Sequence, residues 1–184
     1  MFLSLFLLLS SLLNLPQNKL ELICQTGPPS SNLQFTVYIY YLSKYYEYLD
    51  TFLQFLRSSV PPHTHLHIFH HSLVAPMVYL WLQYNVSLQY IGLIANCGVH
   101  VLMYYYYFYR SYYQSTPKWK YLITYVQLIQ FSISFVCFVA TSYYVYKGYN
   151  CGGYGLLCGQ VVFNLILFSG FIGVSKSNEK DKKS

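Results

Sequence analysis

Hydrophobic positions gather into five runs long enough to cross a bilayer, at roughly 34–56, 64–84, 87–109, 121–146 and 154–175. A hydrocarbon core of about 30 Å takes about 20 helical residues. Helices are the default there, because each keeps its backbone hydrogen bonds within itself. The breaks carry turn residues: "RSSVPPH", "YNVS", "RSYYQSTPKWK" and "KGYNCGGYG". The first two runs are semi-polar. A further run, "MFLSLFLLLSSLLNL", is short for a span, and it lacks the basic start and small-residue cleavage site of a signal peptide. The pattern predicts an all-α, polytopic membrane helical bundle, with a single membrane domain over 1–175 and a basic tail over 176–184.

Polar residues interrupt four of these runs with helical spacing. In "SKYYEYLDTF", Lys44, Glu47 and Thr51 share a face, with Asp50 at its edge. In "HLHIFHH", His67, His70 and His71 span an arc of about 100°. His63 and His65 come before or at the helix start, beside Pro61 and Pro62. "IANCGVHVLMYYYYFYR" lines up Asn96, His100, Met103, Tyr104 and Tyr107, and the next run lines up Thr124, Gln127 and Gln130. Ionisable groups inside a span are costly and mark function. The plainer alternatives are a helix-positioning Lys44–Glu47 pair and amides that hold helices together. Four successive polar stripes predict one shared polar cavity, walled by apolar surface that suits a lipid chain.

Composition agrees. Of 184 residues, 55% are hydrophobic and only 9% are charged, against about 25% in an ordinary soluble domain. The net charge of +6 leans on the tail "SKSNEKDKKS", which reads as a topology signal and not as a nucleic-acid site. With the C-terminus cytosolic, Arg57, Arg110, Lys118, Lys120 and the tail lysines face the cytosol, and only Lys19 and Lys147 lie opposite. The sequon Asn85-Val86-Ser87 then falls on the far side, in a tight turn where it is incidental. The ending "KDKKS" resembles a dilysine retrieval signal of the endoplasmic reticulum. The five cysteines form no CxxC and read mostly as structural thiols; a Cys151–Cys158 bridge is an open option.

HxxHH also occurs in diiron membrane desaturases and hydroxylases, where each metal needs several nitrogen or oxygen donors. Two irons take about eight ligands, and this chain offers four well-placed histidines, His67, His70, His71 and His100. Zinc needs only three or four. The expectation is no metal and no cofactor, with imidazole acting as nucleophile or general base.

The same residues resemble the ELO family of fatty-acid elongases, the very-long-chain 3-oxoacyl-CoA synthases. "KYYEYLDT" is similar to the family's KxxExxDT motif, "HIFHH" to its histidine box, and "NCGVHVLMYYYY" to NxxxHxxMYxYY; "WKYLITYVQLIQF" follows in family order. The resemblance covers roughly residues 36 to 175. It implies seven membrane helices, six of them forming a barrel around an acyl tunnel. It also implies decarboxylative condensation of an acyl-CoA with malonyl-CoA to a 3-oxoacyl-CoA, carbon dioxide and CoA, by ping-pong acyl transfer in the endoplasmic reticulum membrane. Carried over, His70 takes the acyl group, His67 and His71 orient it or shuttle protons, and His100 helps hold the thioester or malonyl unit. The expected substrate-binding set is Lys44, Glu47, Asp50, Asn96, Tyr104, Tyr107, Gln127, Gln130, Arg57 and Lys120. Lys44, Arg57 and Lys120 would meet CoA phosphates or the malonyl carboxylate. The expected partners are the two acyl thioesters, membrane lipids, other enzymes of the elongation cycle and a second copy in a homodimer. The family's first helix has no counterpart here, and residues 1–15 match at most part of the second. A diiron desaturase or hydroxylase fragment, and a shortened elongase without activity, remain the alternatives.

Overall fold

The computed structural model describes residues 1–56, 64–117 and 119–183, without the side chains of Lys19, Asp50, Gln54, Phe55 and 177–183. Every regular element among them is a helix: α1 (Phe2–Leu13), α2 (Lys19–Ile23), α3 (Ser31–Leu56), α4 (Thr64–Tyr84), α5 (Gln89–Tyr113), α6 (Lys120–Tyr146) and α7 (Tyr154–Lys183). The five long helices coincide with the five apolar runs. By length and apolarity, two of them qualify as membrane spans, Lys120–Tyr146 and Tyr154–Lys176, each with a mean hydropathy of 1.9. α3 to α5 are long enough, but their polar stripes lower their hydropathy.

The packing turns this order into a closed ring. α1 packs on α5 and α3, α3 on α4, α4 on α7, α7 on α6, and α6 on α5. Short links between successive helices make neighbours antiparallel. The opening apolar run is therefore a stave of the ring, with Leu7 and Ser11 buried. Its 12 residues rise about 18 Å, against about 39 Å for the 26 residues of α3.

Burial is unlike that of a soluble bundle. Lys44 is 1% exposed and Glu47 6%, while Val136 is 70% and Val139 67% exposed. Charged residues are almost never buried unless paired, and large exposed apolar surfaces mark an apolar partner. The ring thus holds a charged and polar cluster beside its buried apolar residues and turns many large apolar side chains outward, as a membrane protein does.

One end of the ring is stitched shut. Cys24 and Cys151, 127 positions apart, form a disulfide. Gly152 N–H donates to Gln25 O (2.7 Å), and Ser87 N–H to Gly152 O (2.9 Å). Gln25 N–H donates to Ser87 Oγ at 3.1 Å. Only glycine fits at 152, where a Cβ would lie 2.5 Å from Asn85 O, and Gly153 takes φ +61. The pairing corrects the open Cys151–Cys158 option. Cys158 lies within the rigid start of α7 and stays free, while Cys151 stands ahead of that helix, where the segment after α2 reaches it.

Candidate active site

The polar stripes of α3, α4 and α5 converge inside the ring. Lys44 Nζ donates to Glu47 Oε1 at 2.8 Å and to Asn96 Oδ1 at 2.9 Å. Tyr40 OH donates to the same Asn96 oxygen at 2.7 Å, and its ring lies 4.3 Å from the Lys44 ammonium. A buried ion pair survives only with such extra hydrogen bonds, because desolvation opposes it.

Glu47 stands between two histidines on different helices. His71 Nδ1 is 3.7 Å from Glu47 Oε2, and His100 Nδ1 is 3.7 Å from Oε1. Both separations exceed hydrogen-bond reach, and Glu47 Oε2, His71 Nδ1 and His100 Nδ1 are buried without a hydrogen-bond partner among the described residues. Such atoms are costly to leave unpaired, and functional sites are where proteins keep them. His67 is held from α3, its Nε2 3.1 Å from Thr51 Oγ1. Its ring centroid is 4.3 Å from that of His71. His70 lies edge-on to His71 at 5.1 Å and near-parallel to Phe163 of α7 at 6.3 Å.

Two cavities meet here. The larger, about 210 Å³, is lined by His67, His70, His71, Asn96, His100, Met103, Tyr107, Thr124, Gln127 and Gln130. The second is a narrow slot of about 60 Å³ that runs from His70 through Val74 and Met77 to Trp81. His70, Asn96, Gln130 and Phe131 line both, and His70 is the histidine at the junction.

The remaining expected site residues divide. Tyr104 sits beside His100, with centroids 5.9 Å apart. Lys120 opens α6 and places its ammonium over the adjacent Tyr121 ring at 4.8 Å, outside both cavity linings. Lys44 points inward to Glu47 and Asn96. Arg57, His63 and the side chain of Asp50 lie outside the described residues, and His65 is exposed. Among the described residues no group of three His, Cys, Asp or Glu converges as metal ligands.

The family model described as ELO: GNS1/SUR4 family matches residues 1–184. The chain belongs to the ELO family. This ELO chain is 36% identical over 167 residues to "Fatty acid elongase A" of Dictyostelium discoideum, covering 84% of the chain and 60% of that relative. It is 39% identical over 122 residues to "Fatty acid elongase sre1" of the same organism, covering 64% and 44%. It is 31% identical over 164 residues to "Putative fatty acid elongase 1" of Schizosaccharomyces pombe (strain 972 / ATCC 24843), covering 81% and 48%. The chain thus spans between 44% and 60% of the length of these relatives. No solved structure matches it.

Trp81, Phe163 and Gln160 line the slot but were not among the residues expected from sequence. The signal for Trp81 was present: His70, Val74, Met77 and Trp81 follow at i, i+4, i+7 and i+11, which continues the histidine face along α4. The α7 residues sit in the part of that helix, 154–175, that bears no charged residue, so only the ring's closure brings them in.

Proposed function

We propose that this ELO chain carries the condensing site of a fatty-acid elongase, joining an acyl-CoA to malonyl-CoA. The observation that carries the reading is the place of His70: it is the histidine that lines both the larger chamber and the narrow slot. An acyl chain lying in the slot brings its thioester carbonyl to that imidazole.

In the first half-reaction, a ring nitrogen of His70 attacks the thioester carbonyl and the C–S bond breaks. CoA leaves as the thiol, carrying the imidazole proton, and an acyl-imidazole remains. In the second, the malonyl carboxylate leaves as carbon dioxide, and its C–C bonding pair becomes the thioester enolate. The enolate carbon attacks the acyl carbonyl and the C–N bond breaks. The 3-oxoacyl-CoA departs, and His70 recovers its proton from solvent. Gln127, Gln130 and Asn96 supply amides to the developing oxyanions. His71, Glu47 and His100 form a chain of donors and acceptors along which a proton moves once substrate closes the 3.7 Å gaps. The reading also has all five long helices spanning the endoplasmic reticulum membrane, with the stitched end lumenal, and other enzymes of the elongation cycle as neighbours.

Incubating the protein with an acyl-CoA and labelled malonyl-CoA tests it. The expected product is the labelled 3-oxoacyl-CoA. With malonyl-CoA omitted, mass spectrometry is expected to find the acyl group on the peptide carrying His70. His70→Ala should lower turnover by roughly 10³-fold or more. A folded protein that gives neither product nor acyl adduct defeats the reading, and full turnover in His70→Ala removes His70 as the nucleophile.

A further inference from the structure

We propose that the Trp81 indole is the floor of the acyl slot and sets how long an acyl chain this protein accepts; the proposal rests on the elongase reading. Trp81 lies eleven residues beyond His70 on the same face of α4, about 16 Å along the helix, a distance that an extended acyl chain covers with roughly a dozen carbons. The indole is fixed from three sides. Its Nε1–H donates to Gln160 Oε1 of α7 at 2.8 Å. Its ring stacks on Tyr40 of α3, centroids 6.2 Å apart and planes 10° apart. On the α5 side it fits against Gly92, where a Cβ would stand 2.9 Å from the ring carbon Cη2.

Behind this floor lies a second space. A groove of about 230 Å³ between α4 and α7 shares Met77, Trp81 and Gln160 with the slot and continues along Gly155 and Gly159. A Cβ at either glycine meets no atom within 4 Å. The Trp81–Gln160 hydrogen bond is therefore the partition between an inner slot and a lateral groove. With the partition closed, the slot ends at the indole. With the indole removed or swung aside, slot and groove join, and the ω end of a longer chain runs out between α4 and α7.

The test uses the full chain and two readouts. In a Trp119→Phe background Trp81 is the remaining indole, since the chain has two tryptophans. Its fluorescence is titrated with acyl-CoAs brominated near the thioester or about a dozen carbons away. The distal bromine is expected to quench strongly and the proximal one weakly. In the elongation assay, Trp81→Ala should raise the ratio of longer to shorter accepted chains by roughly tenfold, from about two more buried methylenes. Adding Gly159→Leu to Trp81→Ala should reverse that gain by filling the groove. If Trp81→Ala does not fold, Trp81→Phe and Gly92→Ala make the same test, the first by cutting the hydrogen bond and the second by displacing the ring. Equal quenching from both bromine positions, or an unchanged length profile in an active variant, overturns the floor and leaves the elongase reading standing. The absence of both product and quenching with every acyl-CoA defeats the elongase reading, and the floor with it.

Discussion

Lys44 looks, as a lone residue in an apolar run, like a cation waiting for a phosphate. In the folded chain it is a structural partner, bonded to Glu47 and Asn96 and almost wholly out of reach. Taking one member from a buried pair strands the other charge. Lys44→Ala is therefore expected to destabilise the protein by about 3 kcal/mol, read as a lowered thermal midpoint in detergent. Lys44→Met combined with Glu47→Gln should recover much of that loss, because no charge is then stranded. The helical spacing of Lys44 and Glu47 made this pair legible from the sequence. Glu47's place between His71 and His100 was not, because it depends on how three helices turn toward one another. The face shared by His67, His70 and His71 was equally legible, yet the fold separates their surroundings: His67 meets Thr51, His71 faces Glu47, and His70 turns to Phe163.

The five long helices were readable as apolar runs bounded by turn residues, and their ends agree with the structure to within a few residues except at the polar tail. What the runs could not give is which helix neighbours which. Ring order departs from chain order, with α1 between α3 and α5 and α4 against α7. Apolar outer faces resemble one another, so pairing is set by inner contacts such as Tyr40–Asn96, Trp81–Gln160 and Asn164–Ser134. The turn between α4 and α5 bears on the sequon it contains. Val86 and Ser87 are buried and Ser87 Oγ accepts from Gln25 N–H, so the sequon's serine is part of the stitched end. Cysteine pairing was hidden for a related reason: five thiols without a motif allow many partners, and the fold chooses. Alkylation of the denatured, unreduced protein is expected to label three cysteines, Cys97, Cys137 and Cys158, and reduction should raise that to five. Labelling of all five before reduction would contradict the stitched end.

At the scale of the whole molecule, the proposed five-span arrangement draws its orientation from two independent features. Arg110 near the end of α5 and Lys120 at the start of α6 lie away from the stitched end, and lysines fill the tail; a disulfide persists in an oxidising compartment. An epitope added after Ser184 is thus expected to be reached by antibody when only the plasma membrane is permeabilised, and an epitope beside Gly148 only after the internal membrane is opened as well. The reverse staining would invert the arrangement. The stitched end also bears on how the protein is made. Cys151 is synthesised 127 residues after Cys24, so the bond can form only when α1 to α6 have already emerged. Until α6 and α7 arrive, the histidines of α4 and α5 lack the wall that Thr124, Gln127, Gln130 and Phe171 supply, and Lys44 and Glu47 stand in a ring that has not closed. Biosynthesis therefore has a vulnerable interval in its middle, and a ribosome stalled between α5 and α6 leaves a chain that quality control can recognise by its uncovered charge.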